Sequence, residues 1–195
     1  MDRKVMNLPN FLTILRIFLT FVFIFFLLSP SLLAKVIALL IFILACLTDY
    51  YDGKIARERN LITNFGKLAD PIADKALVLA PFICFVQIKI IPAWMVVLIT
   101  MREFIITGVR IFALSQGKAL AAEKGGKHKT ISQMIAIFFI LLFLIARSLG
   151  EKMDFWSGEI QGYTQTVIYI LMLITTFLTI SSGISYLWKN NQLFS

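Results

Sequence analysis

The sequence predicts an all-α integral membrane protein with six transmembrane helices. Its 195 residues are 59% hydrophobic and 15% charged, with a mean hydropathy of +0.85, whereas soluble domains carry about 25% charge. The apolar residues form blocks close to the length of about 20 residues that a helix needs to cross a bilayer. These six blocks are 11–28, 32–48, 72–88, 92–114, 131–146 and 166–188. We expect a single domain over residues 1–195, with a short interfacial helix at the N-terminus.

Two further features exclude other classes of protein. The first apolar block ends at Ser29-Pro30 without a small-residue cleavage site, so we expect a retained helix rather than a signal peptide. Cys46 and Cys84 each lie in an apolar run without CxxC spacing, which indicates small buried side chains rather than a disulfide or a metal pair.

The basic residues are concentrated on one predicted side of the membrane. With the N-terminus inside, fifteen of the 19 Lys and Arg residues fall on the inner side, and only Lys35, Lys89, Arg147 and Lys152 fall outside. Positive residues favour the cytoplasmic side of membrane proteins. We therefore expect a protein of the cell (inner) membrane with both termini in the cytoplasm. The net charge of +8 then reflects topology and attraction to membrane lipids, not nucleic-acid binding.

Four aspartates stand at the predicted inner ends of two hydrophobic blocks. Asp49 and Asp52 are three residues apart, and Asp70 and Asp74 are four apart, so each pair shares one helix face. Four carboxylates that converge in a poorly solvated place need cations, and Mg²⁺ binds carboxylate oxygens and shares them with substrate phosphates. The spacing therefore predicts a site for two divalent ions, Mg²⁺ or Mn²⁺, suited to displacement at phosphorus. The alternative is a set of separate salt bridges to Arg57, Arg59, Lys67 and Lys75.

The start of the third helix remains open. Pro71 directly follows Asp70. It either begins a helix that Asp70 caps or interrupts a helix already begun.

Small and basic residues between the two aspartate pairs indicate a nucleotide pocket. Gly53 and Gly66 lack a Cβ, so a bulky ligand can approach the backbone. Ala56 is small and lies three residues after Gly53. Arg57 carries a guanidinium that suits phosphate. Together with the acids, these residues predict a site for a nucleoside diphosphate.

The motif Asp49-x2-Asp52-Gly53-x2-Ala56-Arg57-x8-Gly66-x3-Asp70-x3-Asp74 resembles the signature of the CDP-alcohol phosphotransferases (phosphatidyltransferases). The resemblance implies an integral membrane enzyme with six transmembrane helices, often a homodimer. It implies that Asp49, Asp52 and Asp70 hold metal ions. Asp74 would contact a metal and act as the catalytic base, and Gly53, Ala56, Arg57 and Gly66 would bind the donor nucleotide.

Three flanking motifs resemble the branch of that family that makes phosphatidylglycerol phosphate. They are Asn10-Phe11-Leu12-Thr13-x2-Arg16, Arg102-Glu103-Phe104 with Arg110, and Gly126-Lys127-His128-Lys129-Thr130. The resemblance implies transfer of a phosphatidyl group from CDP-diacylglycerol to sn-glycerol 3-phosphate with release of CMP. The last third of the chain matches only in hydrophobicity.

An anionic acceptor agrees with the basic residues of these motifs. Arginine in a membrane helix usually faces a cavity or a partner, and Arg102 and Arg110 lie on similar faces of one helix. We expect these arginines, with Lys127 and Lys129, to bind the acceptor phosphate, and Glu103 to pair with one of the basic groups. The alternative for the lysines is a topology signal on a solvated loop.

Thr13 and Arg16 share one face of the first helix because they are three residues apart. Both side chains are expected phosphate contacts. For Arg16 the alternative is snorkelling to the inner membrane surface.

Two rival functions remain. A sibling enzyme would use inositol phosphate, serine or phosphatidylglycerol as the acceptor. A divalent-cation transporter would use the four acids as a transit site, but it leaves Gly53, Arg57 and Gly66 without a role.

Overall fold

The computed structural model describes residues 8–58, 64–117, 124–154 and 156–190; at positions 9, 52–58, 64–65, 67–68 and 124–127 it describes the backbone alone. The described residues form six α-helices in chain order. These are α1 (Leu8–Leu28), α2 (Leu32–Glu58), α3 (Asn64–Gln87), α4 (Ala93–Ser115), α5 (Lys124–Lys152) and α6 (Gly158–Lys189). The predicted all-α class is confirmed for this part of the chain.

Four of the helices are long and apolar enough to cross a membrane. They are α1, α2, α5 and α6. Helices α3 and α4 have 24 and 23 residues, but their charged residues reduce their hydropathy: Asp70, Asp74 and Lys75 in α3, and Arg102, Glu103 and Arg110 in α4. The structure thus supports a helical membrane protein, whereas six crossings stay a prediction.

The helices extend beyond the apolar blocks on the side that carries the aspartates. Helix α2 continues ten residues past the block that ends at Thr48, and α3 begins at Asn64. Gly53 and Gly66, which lie outside the apolar blocks, therefore belong to α2 and α3. Pro71 lies inside α3, so it interrupts a helix already begun and removes one intrahelical hydrogen bond.

The predicted interfacial helix is not a separate element among the described residues. Leu8, Pro9 and Asn10 form the first turn of α1. Proline is well suited to a first turn because the amide hydrogen it lacks has no partner within the helix there. Residues 1–7 lie outside the part of the chain that the structure describes.

Contacts divide the chain into two units, each built from separate segments. Unit 1 comprises Met1–Cys84 with Leu141–Trp156, and unit 2 comprises Phe85–Ile140 with Ser157–Ser195. In unit 1, α1 packs along α2; in unit 2, α4 packs against α6. The long helices α3 and α5 contribute to both units.

One face of α1 is buried in unit 1, and its first half is polar. The spacing of three and four residues places these side chains on a single stripe: Asn10, Thr13, Arg16, Thr20, Phe23 and Leu27. Phe23 packs against Phe42 of α2 with ring centroids 5.8 Å apart. Other phenylalanines of α1, such as Phe21 and Phe25, face outwards, as expected for a lipid-facing surface.

Helix α6 carries a second buried polar stripe, in unit 2. Thr175, Thr179 and Ser182 are buried, and Gln133 of α5 donates a hydrogen bond to the Thr179 hydroxyl at 3.3 Å. The threonine hydroxyls also bond to carbonyls one turn earlier in α6. These bonds satisfy the polar groups inside an otherwise apolar helix.

Candidate active site

Arg16 of α1 joins aspartates from two other helices. Its Nη1 lies 2.7 Å from Asp49 Oδ1 of α2 and also donates to Asp74 Oδ1 of α3. The arginine side chain is fully buried. Because a guanidinium is costly to remove from water, its burial depends on the two carboxylates that face it.

Thr13 makes the corresponding contact for a third aspartate. The Thr13 hydroxyl donates to Asp70 Oδ1 at 2.6 Å. Thr13 lies one turn before Arg16 on the buried stripe of α1, and Asp70 lies one turn before Asp74 on α3. Two successive turns of α1 therefore hold two successive acids of α3.

The carboxylates are accessible although Arg16 is not. The side chains of Asp49 and Asp74 are 44% and 54% exposed, against 0% for Arg16. These acids therefore line a surface that a charged substrate can reach, with the arginine behind them. Ionisable residues that border long apolar segments are candidates for a functional site.

The donor atoms suit a hard divalent cation, but the described acids do not form a ready cage. Carboxylate oxygens are the ligands that Mg²⁺ and Mn²⁺ prefer, and partial exposure gives them access. Among the side chains described, no three acidic, His or Cys residues are grouped closely enough to hold a metal ion. The side chain of Asp52 lies outside the described part. The metal roles of the four aspartates therefore stay predictions.

The predicted donor-nucleotide residues are described only in part. Gly66 is a buried residue of α3. Gly53, Ala56 and Arg57 belong to the last turns of α2, and the side chains there lie outside the described residues. Their predicted roles in nucleotide binding stay predictions.

A separate network in unit 2 contains two of the four predicted acceptor residues. Lys129 of α5 donates from Nζ to Glu103 Oε1 of α4, and Arg102 Nη1 lies 3.5 Å from the same oxygen. The expected pairing of Glu103 with a basic group is confirmed. Arg102 and Lys129 thus bring two positive groups to the single carboxylate of Glu103.

The other two acceptor residues behave differently. Arg110 is exposed on α4, whereas Arg102 is partly buried. The two arginines are eight positions apart and were expected on similar faces of the helix. Lys127 lies in the first turn of α5, and its side chain is outside the described part. Phosphate binding by any of the four acceptor residues stays a prediction. The expected phosphate contacts of Thr13 and Arg16 also stay predictions, and the partners described above for these two residues are carboxylates.

Helix α6 holds Arg102 through residues that no motif singled out. Arg102 Nη2 donates to Ser182 Oγ at 3.1 Å, and a Cβ at Gly183 would come within 2.9 Å of Arg102 Cγ. The glycine thus leaves the space that the arginine side chain occupies. The sequence signal for this contact is weak. It consists of a hydroxylated residue, Ser182, followed by a small one, Gly183, in an otherwise apolar helix.

Comparison with known proteins gives the family. The family model for CDP-alcohol phosphatidyltransferases matches residues 6–187. A Bacillus subtilis (strain 168) protein named CDP-diacylglycerol–glycerol-3-phosphate 3-phosphatidyltransferase is 37% identical, covering 94% of this chain and 95% of that protein. A Rickettsia typhi protein of the same name is 39% identical over 92% of this chain and 94% of its own. A Mycobacterium tuberculosis (strain H37Rv) protein named as a probable phosphatidylglycerophosphate synthase is 32% identical over 94% of this chain and 81% of its own.

The family match extends well past Thr130, where the last of the quoted motifs ends, so α5 and α6 are part of the same similarity. The coverage of both chains excludes a match confined to the aspartate motif. This chain belongs to the CDP-alcohol phosphatidyltransferase family.

Proposed function

We propose that this protein transfers a phosphatidyl group from CDP-diacylglycerol to sn-glycerol 3-phosphate, giving phosphatidylglycerol phosphate and CMP. The observation that carries the proposal is the convergence of Asp49, Asp70 and Asp74 on one face of α1. These acids belong to the family signature, and relatives at 37–39% identity are named for this reaction.

The transfer is a single displacement at the phosphorus that carries the diacylglycerol. A hydroxyl oxygen of the acceptor forms the new P–O bond, and the bond from that phosphorus to the oxygen of CMP breaks. Asp74 accepts the hydroxyl proton, since a carboxylate within hydrogen-bond reach of the nucleophile is a competent base. CMP leaves with the electrons of the broken bond.

The remaining signature residues hold the donor. We expect two divalent ions, Mg²⁺ or Mn²⁺. When bound by Asp49, Asp52, Asp70 and Asp74, they neutralise the charge of the donor pyrophosphate. Gly53, Ala56 and Gly66 leave room for the cytidine end, and Arg57 binds a phosphate. We assign the acceptor phosphate to the basic residues Arg102 and Lys129, together with Arg110 and Lys127.

The membrane arrangement follows from the same residues. The distribution of Lys and Arg favours the cell (inner) membrane with the acids, the bound substrates and both termini on the cytoplasmic side. The diacylglycerol chains then stay among membrane lipids while the cytidine reaches the acids from water. A homodimer remains our expectation for the assembly.

The test is an acceptor panel with the purified protein in lipid vesicles. CMP release is measured with CDP-diacylglycerol, Mg²⁺ or Mn²⁺, and one acceptor at a time: sn-glycerol 3-phosphate, inositol phosphate, serine or phosphatidylglycerol. We expect release with sn-glycerol 3-phosphate and formation of phosphatidylglycerol phosphate. Release with another acceptor alone would assign a sibling activity, and release with none of them would contradict the proposal.

A further inference from the structure

Arg16 carries a charge that the protein buries completely. Its side chain has an exposed fraction of 0%, and it lies in the polar stripe of an otherwise apolar α1. Removing a guanidinium from water is strongly unfavourable unless carboxylates and hydrogen bonds replace the hydration. The structure supplies these partners from two different helices, α2 and α3.

A single nitrogen makes both contacts. Arg16 Nη1 lies 2.7 Å from Asp49 Oδ1 and also donates to Asp74 Oδ1. One positive group therefore bridges one oxygen of each carboxylate. A divalent ion bound by Asp49 and Asp74 would draw on the same carboxylate groups, because Mg²⁺ and Mn²⁺ prefer oxygen ligands.

The burial is one-sided. Asp49 and Asp74 are about half exposed, so a cation from solution can reach them, whereas Arg16 is enclosed. Two cations close to the same two carboxylates repel each other, and the repulsion is strong where water is scarce. Binding of the second cation must therefore weaken the hold of the first.

We propose that Arg16 is a resident counter-cation that competes with divalent ions for Asp49 and Asp74. Its positive charge holds the two helices together and at the same time limits how tightly the acids bind a metal. This inference rests on the proposed function, in which these acids hold divalent ions. It differs from the expected phosphate contact because it assigns Arg16 to the acids themselves. Arg16 is accordingly a positioning residue, acting through the carboxylates.

The competition has a definite consequence for thermal stability. A ligand that binds only the folded protein raises its melting temperature according to its affinity. Without the arginine, the acids repel each other until a metal neutralises them. Mn²⁺ should therefore stabilise a variant lacking the Arg16 charge more than it stabilises the wild-type protein, because coupling between two ligands of one site is reciprocal.

The experiment is a thermal-unfolding titration with MnCl₂ in detergent or nanodiscs, without substrate, on wild type, Arg16→Gln and Arg16→Lys. NaCl at matched ionic strength is the control for screening. We expect Arg16→Gln to unfold at a lower temperature than wild type without Mn²⁺ and to need at least about fivefold less Mn²⁺ for half of its stabilisation. Arg16→Lys keeps the charge and should respond to Mn²⁺ as wild type does.

Thr20→Val is the matched control. Thr20 lies on the same buried stripe, and its hydroxyl bonds the backbone carbonyl of Arg16 rather than an acid. Its Mn²⁺ response should equal that of wild type. Arg16→Gln protein that folds only when purified in Mn²⁺ would also support the proposal.

Three results would overturn the inference. They are an Arg16→Gln response to Mn²⁺ equal to or weaker than that of wild type, failure of this variant to fold even in Mn²⁺, and no response to Mn²⁺ in any variant. The acceptor assay on wild-type protein reports the proposed function separately. An active, Mn²⁺-stabilised wild type with an unchanged Arg16→Gln response would refute only the counter-cation role.

Discussion

The Thr13 hydroxyl donates a 2.6 Å hydrogen bond to Asp70 Oδ1, across 57 positions of sequence. The bond joins α1 to α3, and it aligns the buried stripe of α1 with the acid face of α3. A hydrogen bond to a charged acceptor is stronger than one between neutral groups. Thr13 therefore fixes the orientation of a carboxylate that the proposed reaction uses.

Thr13→Val should weaken metal dependence while leaving the fold intact. Valine has nearly the same shape but cannot donate, so Asp70 loses an oriented bond of about 1.5–3 kcal/mol. We expect the Mg²⁺ concentration for half-maximal CMP release to rise about tenfold. Thr176→Val is the control, because the buried Thr176 hydroxyl bonds the Met172 carbonyl of its own helix rather than an acid. Equal effects of the two substitutions would deny Thr13 a specific role.

Asp74→Asn should abolish turnover and spare donor binding. The amide keeps the size of the side chain but cannot accept the hydroxyl proton, and general-base catalysis is worth about 10²–10⁴-fold in rate. The measurement is kcat for CMP release together with binding of CDP-diacylglycerol to the same preparation. Asp154→Asn, in the exposed turn after α5, is the control for the loss of one carboxylate. A kcat within a few-fold of wild type would remove Asp74 from the catalytic role.

Lys129→Met should raise the KM for sn-glycerol 3-phosphate. Methionine keeps an apolar side chain at this buried position of α5, but it lacks the ammonium group that pairs with Glu103. If this group also serves the acceptor phosphate, the KM should rise about tenfold or more, with little change in the KM for CDP-diacylglycerol. Lys152→Met, on the exposed end of α5, should leave both constants unchanged. A rise in the donor KM alone would contradict the assignment.

Gly183→Ala should disturb Arg102 directly. A methyl group at this position would come within 2.9 Å of Arg102 Cγ, so the arginine side chain or its surroundings must shift, and overpacking of this kind typically costs about 1–3 kcal/mol. We expect a lower unfolding temperature and a higher KM for the acceptor. Gly162→Ala tests the same substitution on the same helix with no atom in the way of the new methyl, and it should be neutral or stabilising. The prediction fails if the two alanine variants behave alike.

The sequence predicted the helices well where the apolar blocks are continuous and less well where charged residues continue a helix. Helix α1 ends at Leu28, as expected, whereas α2 runs on through Asp49 to Glu58. Hydropathy marks the part of a helix that lies in lipid and not the turns that extend from it. The aspartates consequently lie on helices, with Pro71 inside α3.

Local sequence patterns could not predict the partners of Arg16 and Thr13. The sequence places both on one face of α1, but hydrogen bonds to residues more than fifty positions away depend on how α1 and α3 meet. The polar spacing of Asn10, Thr13, Arg16 and Thr20 is a signal for a buried partner, because polar groups inside a membrane helix need one. It does not identify that partner as an acid.

The contribution of α6 had an even weaker signal. Ser182 and Gly183 are common residues in membrane helices, where small side chains let helices approach closely. Only the three-dimensional structure shows that they receive Arg102. The last third of the chain therefore supports a predicted acceptor residue, although it carries no recognisable motif.

The most direct test of the account is a cross-link between α1 and α3 at the acids. In a variant with Cys46→Ala and Cys84→Ala, the pair Thr13→Cys and Asp70→Cys is treated in membranes with the shortest bis-methanethiosulfonate reagent, and mass spectrometry measures the linked fraction. The pair Thr20→Cys and Asp70→Cys is the control, because Thr20 lies about 10 Å further along α1. We predict efficient linkage of the first pair and little of the second. Equal linkage of both pairs, or none of the first, would contradict the gathering of the aspartates on α1 on which the proposed reaction depends.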